Sequence, residues 1–398
     1  MGFSAYPLIV EASMSDTVWR DPRRFLWPAA LLVPTLPFQG LAVARGGHEW
    51  GWWITPLVVF GLIPLVDLLI GDDRANPPDE AVAALQADRY YRVLTYLYLP
   101  LQYAALAACC AAWAAGGLSW FGATGLVLSV GIVNGIAINT AHELGHKREW
   151  LERRLSKIAL APTGYGHFYV EHNRGHHVRV ATPDDPASAR LGESFWAFLP
   201  RTVLGSLRSA WRLEAARFRL RGRSPWTWRN DVLSAWSLTV VLFAALTAWF
   251  GPVVLPLLLM QAVVGFGLLE VVNYLEHYGL SRPRNPAGRY AKVDPRHSWN
   301  SDRVVTNVFL FQLQRHSDHH ANPLRRYQAL RSFDASPQLP AGYATMIVVA
   351  LVPPLWRHLM DRRVLAHYGG DLGAANVHPP ALTRLTTRHP AAAPRPGS

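Results

Sequence analysis

The sequence predicts an all-α integral membrane protein: six transmembrane helices with a cytoplasmic helical cap that carries a histidine-rich site. Three observations lead there. Half of the 398 residues are hydrophobic and only 17% are charged, below the usual quarter for soluble domains. Several apolar stretches are long enough to cross a bilayer. The Arg and Lys residues behind the net charge of +12 gather in particular segments beside those stretches, which is the positive-inside pattern. That placement argues for the lipid bilayer as a partner and against nucleic acid.

Residues 1–24 read as an N-terminal cytoplasmic segment. Asp16, Arg20 and Arg24 precede the first apolar stretch, so no signal-peptide layout is present. The first thirteen residues show little commitment to structure, and Met14 offers an alternative start. A single membrane-embedded domain then covers 25–365. Its first span, 25–44, is interrupted by Pro28, Pro34 and Pro37, tolerable where neighbours satisfy the freed carbonyls. Trp50, Trp52 and Trp53 set an interfacial belt at the start of the second span, 50–70. Asp67 lies near its far end, where a charge costs less than at the midplane. Asn76 to Glu80 open a short amphipathic cytosolic helix. Spans three and four, 93–115 and 118–141, are joined by an uncharged glycine-rich turn; spans five and six, 232–250 and 252–274, by Gly251-Pro252.

The polar segments 142–231 and 275–365 form the cap, the first of them thick with arginine. With six spans, both segments and both termini fall on one side, the cytoplasmic face of the inner membrane. The apolar stretch 341–360 contains Pro353-Pro354 and reads as a cytosolic or interfacial helix rather than a seventh span. The Ala/Pro-rich residues 366–398 read as a disordered tail. Cys109 and Cys110 are adjacent in an apolar helix, so neither a structural disulfide nor a Cys-x-x-Cys metal pair is available.

Nine of the sixteen histidines fall in four short stretches at the cytoplasmic ends of spans four and six and in the cap. They are His142-Glu143-Leu144-Gly145-His146, Glu171-His172-Asn173-Arg174-Gly175-His176-His177, Asn273-Tyr274-Leu275-Glu276-His277, and His316-Ser317-Asp318-His319-His320. His142/His146, His172/His176 and His316/His320 are i,i+4 pairs, each sharing one face of an α-helix. His177 then points to the neighbouring face, toward a second centre. Imidazole suits zinc, copper, iron and nickel alike. Zinc sites need only three or four ligands, whereas nine nitrogens suit two metals with four or five each, and iron fits best. Glu143, Glu171, Glu276 and Asp318 stand beside the histidines as acceptors for the outward imidazole N–H groups. Asn273, one turn before His277, can complete a coordination sphere or hold a water. No separate acid or base is assigned.

The isolated His48, His167, His297, His358, His367, His378 and His389 read as surface or interfacial residues, and Lys147 and Arg174 as solvated or headgroup contacts. Taken alone, His142-Glu143-Leu144-Gly145-His146 also matches the H-E-x-x-H pattern of an intramembrane zinc protease, but that leaves seven grouped histidines without a role. A metal transporter would place its ligands near the midplane rather than at one membrane face.

The four stretches resemble the histidine boxes of the AlkB-type membrane-bound non-haem di-iron alkane 1-monooxygenases, of the desaturase/hydroxylase-like superfamily. The resemblance extends to the Asn-Tyr-x-Glu-His-Tyr-Gly box at Asn273 to Gly279 and to the segments Thr182 to Arg190 and His297 to Asn300. It covers about residues 20–365. It implies two irons held by His142, His146, His172, His176, His177, His277, His316, His319 and His320, with O2 as co-substrate. The implied reaction is terminal hydroxylation of medium-to-long n-alkanes to primary alcohols; methyl groups of aromatics or terpenes, or fatty acyl chains, are the alternative substrates. It also implies electrons from rubredoxin, here expected as a separate chain, served by an NAD(P)H-dependent reductase. In that family a residue just before a Gly-x-x-Pro-Leu-x-Asp stretch limits the substrate channel. Val59 holds that place here.

Overall fold

Proline placement shapes the first span. The structure, a computed structural model, describes residues 19–388, and its first helix, α1 (Trp27–Arg45), starts as a 3-10 helix and turns α-helical only from Leu36. Pro28, Pro34 and Pro37 lack the N–H groups a regular ladder needs. Helix α2 (Glu49–Ile70) contains one π-helical turn at Val58–Leu62. A short α3 (Asp79–Ala87) leads to α4 (Arg89–Ala114) and α5 (Trp120–Gly145), which start where the Asp88 and Ser119 side chains accept the amides of Tyr90 and Gly122. Then come α6 (Trp150–Leu160), the compound helix α7 (168–179), α8 (Phe195–Arg219), α9 (Asp231–Phe250) and α10 (Pro252–His277). Five short elements finish the fold: α11 (Val304–Phe309), α12 (His316–Ala321), α13 (Tyr343–Ala350), α14 (Pro353–His367) and α15 (Leu382–Arg388). Among the described residues there is no strand.

Six helices, α1, α2, α4, α5, α9 and α10, are long and apolar enough to cross a membrane. Helices α13 and α14 meet at 119°, so the apolar stretch around Pro353-Pro354 makes no straight seventh crossing. The tail needs correction. Residues 366–388, expected to be disordered, complete α14 at His367 and then form two 3-10 turns and α15, burying Leu372, Ala381 and Leu385. Leu191 N and Asn376 N donate to Asn376 and Gly279 carbonyls at 2.7 and 3.0 Å, so this Ala/Pro-rich segment orders by packing on distant parts of the chain. The N-terminal thirteen residues, Met14, and residues 389–398 of the expected tail, His389 among them, lie outside the described residues.

Helix α5 is the axis of the bundle: 78% of its most apolar window is buried, against 11% for α9. Its glycines let α10 approach closely. A Cβ on Gly131 would lie 2.6 Å from Val264 Cβ, and one on Gly135 would lie 2.9 Å from the Gly265 carbonyl. Asn134 ties the helices together, donating to Gln261 at 2.7 Å and accepting from Gln102 of α4 at 3.1 Å. Small residues with a few interhelical hydrogen bonds are how helices associate in lipid. Gly131→Ala is therefore expected to destabilise the bundle by about 1–3 kcal/mol. Gly61→Ala should have no effect, because a Cβ there meets nothing within 4 Å. Thermal unfolding in detergent compares the two; equal Tm values would refute the close-approach argument.

Asp67 turns out to be buried rather than interfacial. Its carboxylate accepts the amides of Val305 and Thr306 at 2.8 and 3.0 Å and the Thr306 hydroxyl. An anion at these first-turn amides offsets their unpaired donors, and it pins the segment leading into α12 against the end of α2.

Candidate metal centre

Four elements bring the nine histidines together: the C-terminal turn of α5, α7, the last residue of α10, and α12. Seven are buried, and His146 and His177 are partly so. They form two adjoining groups, His142, His146, His172, His177 and His319 in one, and His176, His277, His316 and His320 in the other, the candidate donor atoms within each lying within 4.8 Å of one another. In the first group the Nε2 atoms of His142 and His319 are 2.8 Å apart, and His177 Nε2 is 3.1 Å from both His172 and His319 Nε2. In the second, His320 Nε2 lies 2.9 Å from His316 Nε2 and 3.3 Å from His176 Nε2.

These separations fit a metal. Nitrogens held about 2.1 Å from one ion at right angles stand about 3 Å apart. Neutral imidazoles have one proton each, and here many turn the same nitrogen inward. The Nε2 atoms of His146 and His277 have no hydrogen-bond partner. Burial first, then the neighbouring imidazoles, pushes His146, His172, His177, His316, His319 and His320 well below the usual histidine pKa. A lowered pKa favours the neutral imidazole, which is the form that binds a metal.

The partition differs from the α-helical expectation. His172 and His176 fall in different groups: His172 goes with His177, and His176 joins the other group. The cause is local. Residues His172–His176 form a π-helical turn, whose wider i→i+5 winding aligns His172 with His177 instead of His176. The i,i+4 pairs His142/His146 and His316/His320 sit in α-helices and each stays within one group.

The expected carboxylate partners are mostly elsewhere. Glu143 pairs with Lys147 at 3.0 Å, Glu171 with Arg179 at 2.6 Å, and Asp318 with Arg325 at 2.6 Å. A residue next to a histidine on a helix points about 100° away from it, so these acids face outward and meet cations. Lys147 is correspondingly buried, and Arg174 is held by Glu214 and Asp231 instead of solvent or headgroups. Glu276 contacts an imidazole, but on the inward side, 3.2 Å from His316 Nε2. Asn273 donates to Glu270 at 3.2 Å.

The carboxylate that does orient an imidazole is Asp185, which sequence reasoning left without a role. Its Oδ2 lies 2.8 Å from His176 Nδ1 and also accepts the Ser188 hydroxyl at 2.6 Å. Burial alone would raise this carboxyl, yet His176 and Ser188 outweigh it and hold it below the ordinary aspartate pKa. The His297 carbonyl plays the same part for His277 Nδ1, at 3.2 Å. His297 and His167 are buried, against expectation, and belong to neither group. Asp185→Ala is expected to weaken metal retention about 10–100-fold, measured as metal per chain after dialysis against chelator; unchanged retention would refute the role.

An apolar cleft leads from the bundle to both groups. Val33, Val59, Phe60, Ile63, Leu268, Phe309 and Ile347 line its length, and His142, His172, His316, Asn273 and Glu276 close its end. Val59 thus stands on the cleft wall, within the π turn of α2.

Comparison with known proteins decides the family. The chain is 48% identical over 362 residues to alkane 1-monooxygenase 1 of Alcanivorax borkumensis, covering 90% of this chain and 89% of that one. It is 47% identical over 363 residues to the alkane 1-monooxygenase of Ectopseudomonas oleovorans, with the same coverage. The chain belongs to the alkane 1-monooxygenase family. It is thereby an oxidoreductase of the monooxygenase class. A fatty acid desaturase family model matches residues 118–350, a span that contains all nine grouped histidines. Likeness to a xylene/toluene monooxygenase hydroxylase component of Pseudomonas putida is lower, 25% over 346 residues, 83% of this chain and 87% of that one.

Proposed function

We propose that this protein hydroxylates the terminal methyl group of medium-to-long-chain n-alkanes to primary alcohols, with O2 as co-substrate. The observation that carries the proposal is the apolar cleft closed by His142, His172 and His316, members of both histidine groups. Two iron ions would be held there, one by His142, His146, His172, His177 and His319, the other by His176, His277, His316 and His320. When bound, iron supplies the oxygen chemistry that side chains lack. The chain's own residues do the rest. The cleft aligns the alkane end-on with its methyl group at the histidines, and its apolar walls exclude water. Asp185 and the His297 carbonyl fix imidazole orientation. Glu276 puts a carboxylate on the inner side of the site, where it can hold a proton beside His316.

Electrons would come from a rubredoxin served by an NAD(P)H-dependent reductase, and the basic residues flanking the spans favour a cytoplasmic location for the histidine-bearing face. The protease reading is disfavoured because Glu143, the general base it needs, faces outward to Lys147. Metal analysis of purified protein, and turnover of octane, hexadecane and p-cymene with rubredoxin and reductase, test the proposal. Two irons per chain and alkane turnover are expected. A single zinc would sink the di-iron assignment, and turnover of p-cymene alone would move the substrate to aromatic methyl groups.

A further inference from the structure

Another pocket lies where α6 meets the start of α9, on the histidine-bearing side of the bundle. Arg148, Arg153, Arg154, Lys157 and Arg229 line it, with Asp231 as its one carboxylate. Asp231 is already engaged by Lys157 at 2.7 Å and by Arg174. Among the described residues, Arg148, Arg154 and Arg229 have no carboxylate partner. Like charges gathered in this way repel one another unless an anion sits among them.

The surroundings say which anion. Two exposed indoles flank the pocket, Trp150 and Trp228, with the Arg154 guanidinium 5.2 Å from the first ring and Arg229 5.4 Å from the second. Exposed tryptophans at the ends of spans mark the headgroup level of a bilayer. Directly below runs α9, the span least covered by the rest of the protein, with exposed Val240 and Val241 further along it. A charged cradle above a bare apolar helix matches an amphiphile: a phosphate head with acyl chains.

We propose that this pocket binds the phosphate headgroup of an anionic phospholipid, whose acyl chains lie along α9. The site connects to the metal centre. Arg153 donates to the Tyr169 hydroxyl at 2.8 Å, Asn173 donates to the Tyr169 carbonyl at 2.7 Å, and Arg174, between His172 and His176, pairs with Asp231. Neutralising the pocket therefore steadies the element that carries His172, His176 and His177.

The test uses full-length protein in detergent, depleted of lipid. It is titrated with phosphatidylglycerol, with phosphatidylcholine of the same acyl chains, and with inorganic phosphate, and Tm is followed by tryptophan fluorescence. Phosphatidylglycerol is expected to raise Tm by at least about 3 °C, with no comparable rise from the other two. The combined variant R148Q/R154Q/R229Q should lose that rise, whereas R362Q/R363Q, distant basic residues, should keep it. Native mass spectrometry of unmutated protein extracted from membranes should show retained anionic phospholipid, which keeps the question answerable if the triple variant fails to fold. An equal rise with phosphatidylcholine, a rise kept in the triple variant, or no retained anionic lipid would overturn the proposal. A rise with inorganic phosphate alone would reassign the pocket to a free anion. Loss of rubredoxin-driven turnover in the triple variant with the lipid response intact would reassign it to a protein partner.

Discussion

His176→Ala and His177→Ala are expected to abolish turnover by depleting different metals. Each change removes one donor from a group of five or of four. The effect on turnover should exceed the roughly 10–100-fold that partners behind the ligands cost. The metal outcome is the sharper result. His176→Ala leaves its group with three imidazoles, His177, by contrast, is one of five, so its loss should leave four and release metal less readily. His172→Ala should reproduce the His177 phenotype. An α-helical register makes the opposite forecast, since it pairs His172 with His176. Iron content and Mössbauer spectra of 57Fe-loaded protein tell the two apart, because each variant should diminish one component. If His172→Ala and His176→Ala diminish the same component, the π-helical partition is wrong.

This contrast also marks how far the sequence was legible. The spans could be read because lipid imposes one rule, long apolar runs with internally satisfied backbones. The observed helices begin or end within a few residues of the expected bounds. The nine histidines could be read because their spacing has no use in packing. The register at His172–His176 could not, because a single π turn inside a short helix leaves no signature in residue spacing. Nor could Asp185, which reaches His176 through the turn after α7 and not through helical spacing. Glu143, Glu171 and Asp318 looked like imidazole partners by adjacency, yet adjacency on a helix is what turns them away. The ordered residues 366–388 hid behind a disorder-like composition, because the contacts that order them come from Leu191 and Gly279, far away in sequence.

Val59→Trp is expected to shorten the usable alkane. Val59 is 6% exposed and stands on the cleft wall, eight residues before Asp67 on the same helix. At about 1.5 Å per residue that is about 12 Å from the Asp67 end of the helix, toward the interior of the bundle. A short chain with its methyl group at the histidines ends before this level, while a long one must pass it. An indole there should leave octane turnover nearly unchanged and cut hexadecane turnover at least about tenfold, a loss of about 1.4 kcal/mol in transition-state stabilisation. The π turn at Val58–Leu62 matters to this expectation, since it sets which side chains of α2 face the cleft and leaves a Cβ on Gly61 in open space. Gly61→Leu, two residues on and on the exposed side of the helix, should therefore alter turnover of neither substrate and serves as the control for a general effect on the helix. The ratio of hexadecane to octane turnover is the decisive measurement. A folded Val59→Trp protein with the parental ratio would place the chain-length limit elsewhere on the wall, with Phe60 and Phe309 the next side chains to change.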